Sequence, residues 1–367
     1  MNLKIDFKMM DIKQRILKLS SSQYNGGNFM NPKMTAADAS VFLNQTVQNI
    51  HRILKTRQSE WNKSANRVYF SHATSRMLFN LKFSENNKVL AVQIVKGGPG
   101  KTSITKNIGI RAALYGAKVL LIDLDQQGNL TNDLISSAET SPVMIDLITD
   151  IELSTADAII PIFDGLDLIP SRLENSALDN TLTLEHHPLD RVFKDRIDPL
   201  REKYDLILID CPPALSAAVA AAALASDLVI CPVAPEKYCL DGLKMTHGEL
   251  VNLEKKFKRH IPFRIIMNKF DNRTLLSSDI LEVLHKSSIY GPKLYKTFVR
   301  ASQEFSNTTA KKESIFDGLR ITPAQEDIDA LTREILDLNS QRPKISENIV
   351  PLGKLSAEKS ISDEARM

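Results

Sequence analysis

Seven consecutive residues, Lys96-Gly97-Gly98-Pro99-Gly100-Lys101-Thr102, are the part of this 367-residue chain best suited to chemistry. Three glycines let a backbone wrap closely around a phosphate chain, and amides at the start of a following helix point at the anion. Lys101 would then reach the β- and γ-phosphates of a nucleotide, and the Thr102 hydroxyl would bind Mg2+. The phosphate-holding set is Gly97, Gly98, Pro99, Gly100, Lys101, Thr102 and Ser103. The spacing is not the usual G-x-x-x-x-G-K-T, because an extra lysine, Lys96, opens the loop. Acids stand further on. Asp123 and Asp125 close the segment KVLLIDLD, and Asp210 ends YDLILID before a Pro-Pro turn. An acid at the end of such a strand suits a water in the Mg2+ shell. For Asp123 and Asp125 the alternative is two acids that only cap a strand.

The elements that must position these groups are legible from about Lys88 onward. Apolar runs of strand length (VLAVQIV, KVLLIDLD, LDLIPS, DLILID, LVICPV and FRIIMNK) alternate with helical segments. Continuous apolar strands separated by helices indicate a parallel sheet covered on both faces. The first of them runs straight into the glycine loop, with a helix expected from near Ser103. A last helix is expected at about 323–338, with Ile328, Leu331, Ile335 and Leu338 at helical spacing. The fold class is therefore α/β, a mostly parallel twisted sheet with helices on both faces, preceded by a small helical unit.

Composition excludes several classes. No apolar run approaches the roughly 20 residues of a membrane span, and the N-terminus has acids and no small-residue cleavage site, unlike a secretory signal. Cys211, Cys231 and Cys239 have no paired spacing and lie in or beside apolar segments, which predicts buried free thiols in a reducing cytosol. The net charge of +3 hides an asymmetry: residues 1–86 hold 13 basic against 5 acidic residues, the remainder 34 against 39. A basic head on a mildly acidic body suggests a polyanion partner, or else only a solvated basic surface.

Within the head, Ile5, Met9, Ile12, Ile16 and Leu19 form a 3.5-residue seam, the pattern of helices that pair along one stripe. Residues 35–80 read as a winged helix-turn-helix. Thr35 and Asp38 form a capping box, Asn44 takes the left-handed turn position, and Thr46 caps a second helix with Val47, Ile50 and Leu54 on its buried face. Gln48, Asn49, His51, Arg52 and Lys55 then face outward, able to read base edges and hold phosphates. The segment NRVYFSHATSRMLFNL resembles the strand and helix that follow in the MerR-like version of this fold, with Arg67 and Tyr69 on the wing. The alternative is a small helical domain used only for dimerisation. The expected boundaries are a dimerisation helix and loop at 1–34, the winged unit at 35–86, the nucleotide-binding domain at 87–340 and a disordered tail at 341–367.

The loop Lys96–Thr102 matches K-G-G-x-G-K-[ST] at every position and so resembles the deviant-Walker ATPases, which include ParA partition proteins, MinD and nitrogenase iron protein. That resemblance implies ATP with Mg2+, a homodimer, and a Lys96 that reaches across to the partner's nucleotide. It implies catalytic roles for Lys96, Lys101 and Asp125, the last acting on the attacking water. Thr102, Asp123 and Asp210 would serve the metal, and Asn268, in FRIIMNK, would meet the adenine ring. Gln126 stands where the family has proline.

Among the branches, the cluster-ligating cysteine pair of the iron protein is missing, and the C-terminal segment lacks the amphipathic face of the MinD membrane helix. KTFVRASQEFSNTTAKKESIFD resembles the partition branch. The branch implies a nucleoid-associated, cytoplasmic DNA-segregation ATPase, with no membrane role and with hydrolysis stimulated by a ParB-type partner. ATP-loaded dimers would hold DNA without sequence preference through basic residues such as Arg273 and Arg300. Gln48, Asn49, Arg52, Lys55 and Arg67 would bind an operator and repress the chain's own operon. A positioning ATPase with another cargo is the competing class.

Overall fold

The computed structural model describes residues 30–83 and 89–342. The expected seam at 3–20, the polar stretch at 84–87 and the tail beyond Arg342 lie outside the described residues.

The head contains β1 (Met34–Thr35), α1 (Ala36–Leu43), α2 (Val47–Thr56), β2 (Trp61–Ser64), β3 (Arg67–Phe70) and α3 (His72–Phe79). Local chemistry places each boundary. The Thr35 hydroxyl accepts from the Asp38 amide while the Asp38 carboxylate accepts from the Thr35 amide, which closes the capping box. Asn44 ends α1 at φ 51°, and Thr46 caps α2 through the Asn49 amide. β2 and β3 form an antiparallel hairpin, and β1 pairs with the other edge of β3. Ile50 and Leu54 are buried as expected; so is Ile53, while Val47 is half-buried.

The body is built on β4 (Val89–Val92), β5 (Val119–Asp123), β6 (Ile160–Phe163), β7 (Leu166–Ile169), β8 (Leu206–Asp210), β9 (Leu228–Val233) and β10 (Phe263–Met267), in the order β10-β9-β4-β8-β5-β7-β6. All neighbours are parallel except β6 and β7. The antiparallel edge strand β6 is an element the apolar pattern did not indicate. Its helices are α4 (Lys101–Leu114), α5 (Asn129–Leu134), α6 (Met144–Thr149), α7 (Leu178–Leu184), α8 (Lys194–Ile197), α9 (Ala217–Ala225), α10 (Cys239–Phe257), α11 (Leu275–Lys286), α12 (Gln303–Ala310) and α13 (Pro323–Ile335). Helix α4 starts at Lys101, two residues before the expected Ser103.

Side chains alternate between two cores, which is why the strands read as unbroken apolar runs. Leu90, Val92, Leu121 and Leu208 join the core under α4 and α13, and Val89, Ala91, Ile122 and Ile209 join the one under α9 and α10. The head does not form a separate core. Met34, Phe42, Ile50 and Phe79 belong to the same cluster as Ile104, Ile108, Tyr115 and Leu331. Phe42 and Phe79 meet the Tyr115 ring with centroids at 4.9 and 5.4 Å.

Docking places the head beside the N-terminal ends of β5, β7 and β8. His72 Nε2 lies 3.0 Å from the Ala117 carbonyl oxygen, and Arg76 Nη1 donates to the Gly116 carbonyl and to Asp205, both at 2.7 Å. Gly116 has φ +92°, and a Cβ there would come 2.5 Å from the Arg76 Cα. Gln341, in the last turn, accepts from the Lys82 amide. The glycine loop lies at the opposite end of α4, a helix about 21 Å long.

Candidate functional site

The loop after β4 begins helix α4, with Gly100 as its cap at φ +88°. A Cβ on Gly100 would strike the Asn268 amide nitrogen, so only glycine lets this helix start so near β10. Asn268 is buried and donates to the Pro99 carbonyl at 2.7 Å; Lys269 donates to the Gly98 carbonyl at 2.7 Å. The residues directly after β10, expected to meet the adenine ring, therefore hold the loop itself.

Lys101 is buried at the first position of α4, and burial lowers its pKa against the opposing pull of Asp210. Lys96 Nζ donates to Glu236 Oε2 at 3.0 Å and to the Lys237 carbonyl at 2.9 Å. Thr102 and Ser103 are half-buried at the helix start.

The acids converge from adjacent strand ends, because Asp123 and Asp210 are paired in register across β5 and β8. Thr102 donates to Asp210 Oδ2 at 2.7 Å and Thr105 to Oδ1 at 3.3 Å. Asp123 accepts from the Thr131 amide and hydroxyl at 2.9 and 2.8 Å and from the Asp125 amide at 3.1 Å. Burial pushes both carboxyls above their ordinary range, and for Asp210 the charge of Asp123 adds to it. Asp125 is half-buried, and its Oδ1 accepts from the Gln127 amide at 3.0 Å. Among the described residues no group of three or more His, Cys, Asp or Glu could hold a metal by itself. A hydroxyl and a buried carboxylate make an oxygen-only half-shell, the donor set of Mg2+ when phosphates supply the rest.

Beside Gly100 and Ser103 opens a cleft of about 630 Å³, walled by Asn268, Lys269, Ser302 and Phe305. That volume lies within the range of small-molecule sites. Ser302 and Phe305 lie in the segment that resembles the partition branch, and no local spacing there announces this wall.

The other expected residues are dispersed. Arg300 makes a two-nitrogen pair with Asp327 and also faces Glu326, and Arg273 pairs with Asp271; both line one cleft of about 560 Å³. On the head, Gln48, Arg52 and Lys55 are exposed, whereas Asn49 and His51 are half-buried rather than outward. Asn49 holds the Arg52 guanidinium at 2.9 Å, and Arg67 donates to the Leu319 carbonyl of the body. The three cysteines are free and buried, and burial raises their thiols.

A family model described as an AAA domain matches residues 87–263. The sporulation initiation inhibitor protein Soj of Bacillus subtilis is 30% identical over 238 residues, covering 62% of this chain and 90% of Soj. A ParA family protein of Chlamydia pneumoniae is 30% identical over 255 residues, covering 68% of this chain and 98% of the relative. The chain belongs to the ParA family of partition ATPases. The ParA fold is also found in the solved ATP complex of a Cyanothece McdA variant, at TM-score 0.60, 24% identity, 69% of this chain and 98% of that one. A plasmid partition protein from Borrelia burgdorferi bound to AMPPNP gives TM-score 0.55 and 22% identity over 70% of this chain and all of that one. The ParA relatives align with about two thirds of this chain. No helix among the described residues is long and apolar enough to cross a membrane.

Proposed function

We propose that the chain is an ATP-driven DNA segregation protein whose nucleotide site is the Lys96–Thr102 loop with Asp123, Asp125 and Asp210. The observation that carries this is the convergence of Lys101, Thr102 and the paired strand-end acids Asp123 and Asp210 at one helix start. Loop amides and Lys101 would hold the β- and γ-phosphates, and Thr102 and Asp210 would hold Mg2+, with Asp123 behind them fixing the turn to Thr131. Mg2+, when bound, neutralises charge on the phosphates. Asp125 would orient the attacking water, and the cleft by Asn268 would take the base.

Lys96 supports a switch between subunits. Its ammonium lies toward the surface on Glu236 rather than in the loop, so it is free to exchange that partner for a second subunit's nucleotide. An ATP-bound homodimer would then bind DNA without sequence preference, and a ParB-type centromere-binding partner would stimulate hydrolysis and release. Arg273 and Arg300 are spoken for by carboxylates, so they would meet phosphates only by exchanging those pairs. The head would bind the chain's own operator through Gln48, Arg52 and Lys55, with Asn49 orienting Arg52 and Arg67 supporting the wing, and would repress the operon. Association with the nucleoid follows.

The test is steady-state ATP hydrolysis with nonspecific duplex DNA, with and without the product of the adjacent gene. Hydrolysis that is slow alone and rises with both additions is expected; a rate indifferent to either would count against the segregation cycle.

A further inference from the structure

We infer that Arg320, in the ATPase body, forms part of the head's DNA interface and contacts a backbone phosphate beside the wing. This rests on the proposal that the head reads duplex DNA. The wing is tied to the body where Arg67, at the start of β3, donates to the Leu319 carbonyl. Arg320 is the next residue. It is exposed, and its side chain has no ion pair or hydrogen bond among the described residues. Ile321, on its other side, helps wall a groove of about 420 Å³ together with Thr35, Val47, His51, Asn66 and Arg67. The backbone of Arg320 is therefore fixed between two residues that touch the head, at the edge of a groove running from the start of α2 to the wing.

The occupant follows from charge. No carboxylate lines this groove, and none lines a second cleft of about 210 Å³ between α2 and the hairpin, where Lys55, Trp61 and Lys63 stand. Residues 30–83 hold eight basic residues against Asp38 and Glu60. Asp38 is turned inward onto Arg111 at 3.3 Å. A helix presenting Gln48, Arg52 and Lys55 to a major groove brings the hairpin beside it onto the flanking backbone. Phosphate contacts there fix register rather than sequence. Arg320 is placed to make one, so the operator surface is built from both parts of the chain.

The experiment measures binding of the full chain, without nucleotide, to the labelled duplex upstream of its gene and to a random duplex of equal length, across a salt series. Arg320→Ala should weaken binding to both duplexes about three- to tenfold and lower the salt slope by about 1, leaving their ratio unchanged. Arg320→Lys should restore most of the loss. Arg52→Ala should instead erode the ratio, and hydrolysis without DNA should not change in Arg320→Ala. If the unsubstituted chain prefers the upstream duplex while Arg320→Ala keeps its affinity and slope, this inference alone is overturned. If the unsubstituted chain shows no preference, the operator reading falls and this inference with it.

Discussion

Arg111 joins Asp38 of the head to Asp329 of the last long helix, with Nη2 3.3 Å from Asp38 Oδ1 and Nε 2.6 Å from Asp329 Oδ1. Its side chain is 2% exposed, and the rings of Tyr115 and Phe316 lie 4.9 and 5.2 Å from the guanidinium carbon. Burial alone would lower its pKa; Asp329 and Asp38 outweigh that and raise it. Removing Arg111 leaves Asp38 without its ion pair, while Asp329 keeps Arg333 at 3.0 Å. Breaking a buried pair costs about 3–5 kcal/mol, and the partner left to Asp329 puts this case at the lower end. Arg111→Met should therefore lower stability by that order in denaturant unfolding, and Arg111→Lys should recover only part because a point charge cannot serve two carboxylates as the fork does. A loss below about 1 kcal/mol in Arg111→Met would show the network to be dispensable.

Gly100→Ala tests the closeness of the loop to β10. The substitution adds a Cβ against Asn268 at a φ of +88°, a conformation that costs an ordinary residue about 1–2 kcal/mol. The variant should fold with slightly reduced stability and lose nucleotide binding by calorimetry. Wild-type affinity would mean that the loop can open away from Asn268.

Lys96→Ala separates binding from closure. Lys96 touches Glu236 and Lys237 rather than the groups that hold the loop, so its loss should spare ATP binding and abolish ATP-dependent dimerisation and turnover. Light scattering with and without ATP measures this. Closure at the wild-type level would remove Lys96 from its proposed role.

Asp125→Ala and Lys101→Ala should diverge. Among the described residues the Asp125 carboxylate accepts from the nearby Gln127 amide, a local turn contact, so its loss should leave ATP and DNA binding intact while turnover falls at least tenfold. Lys101 is buried at the helix start, and Lys101→Ala should lose nucleotide binding itself. Equal turnover in Asp125→Ala and the unsubstituted chain would take the water-handling role away from it.

Much of this was legible in local patterns. The loop, the three strand-end acids, both caps of the head helices and the left-handed Asn44 all depend on neighbours within a few positions, which sequence displays directly. Strand β6 was missed because IPIF is a short, half-buried, antiparallel edge strand containing a proline, without the unbroken apolar run of its neighbours. The Arg111 network was invisible because it joins positions 38, 111 and 329, and no spacing announces such a meeting. Arg67, Arg273 and Arg300 read as available cations, and the fold gives each an internal acceptor. Asn49 and His51 lie at outward positions of α2 by period, but Gln45 holds the Asn49 amide and the hairpin crowds His51.

One core serving both head and body has a thermodynamic consequence. A tethered module that buries its own apolar side chains can unfold while its neighbour stays intact, giving two transitions on heating. Here Phe42 and Phe79 are buried against Tyr115, so melting the head would strip the flank of α4 and α13. The boundary drawn near residue 86 thus separates two chemical tasks but not two units of cooperativity. A fragment starting at Val89 would carry a newly bared apolar flank, and association through that flank is its expected fate.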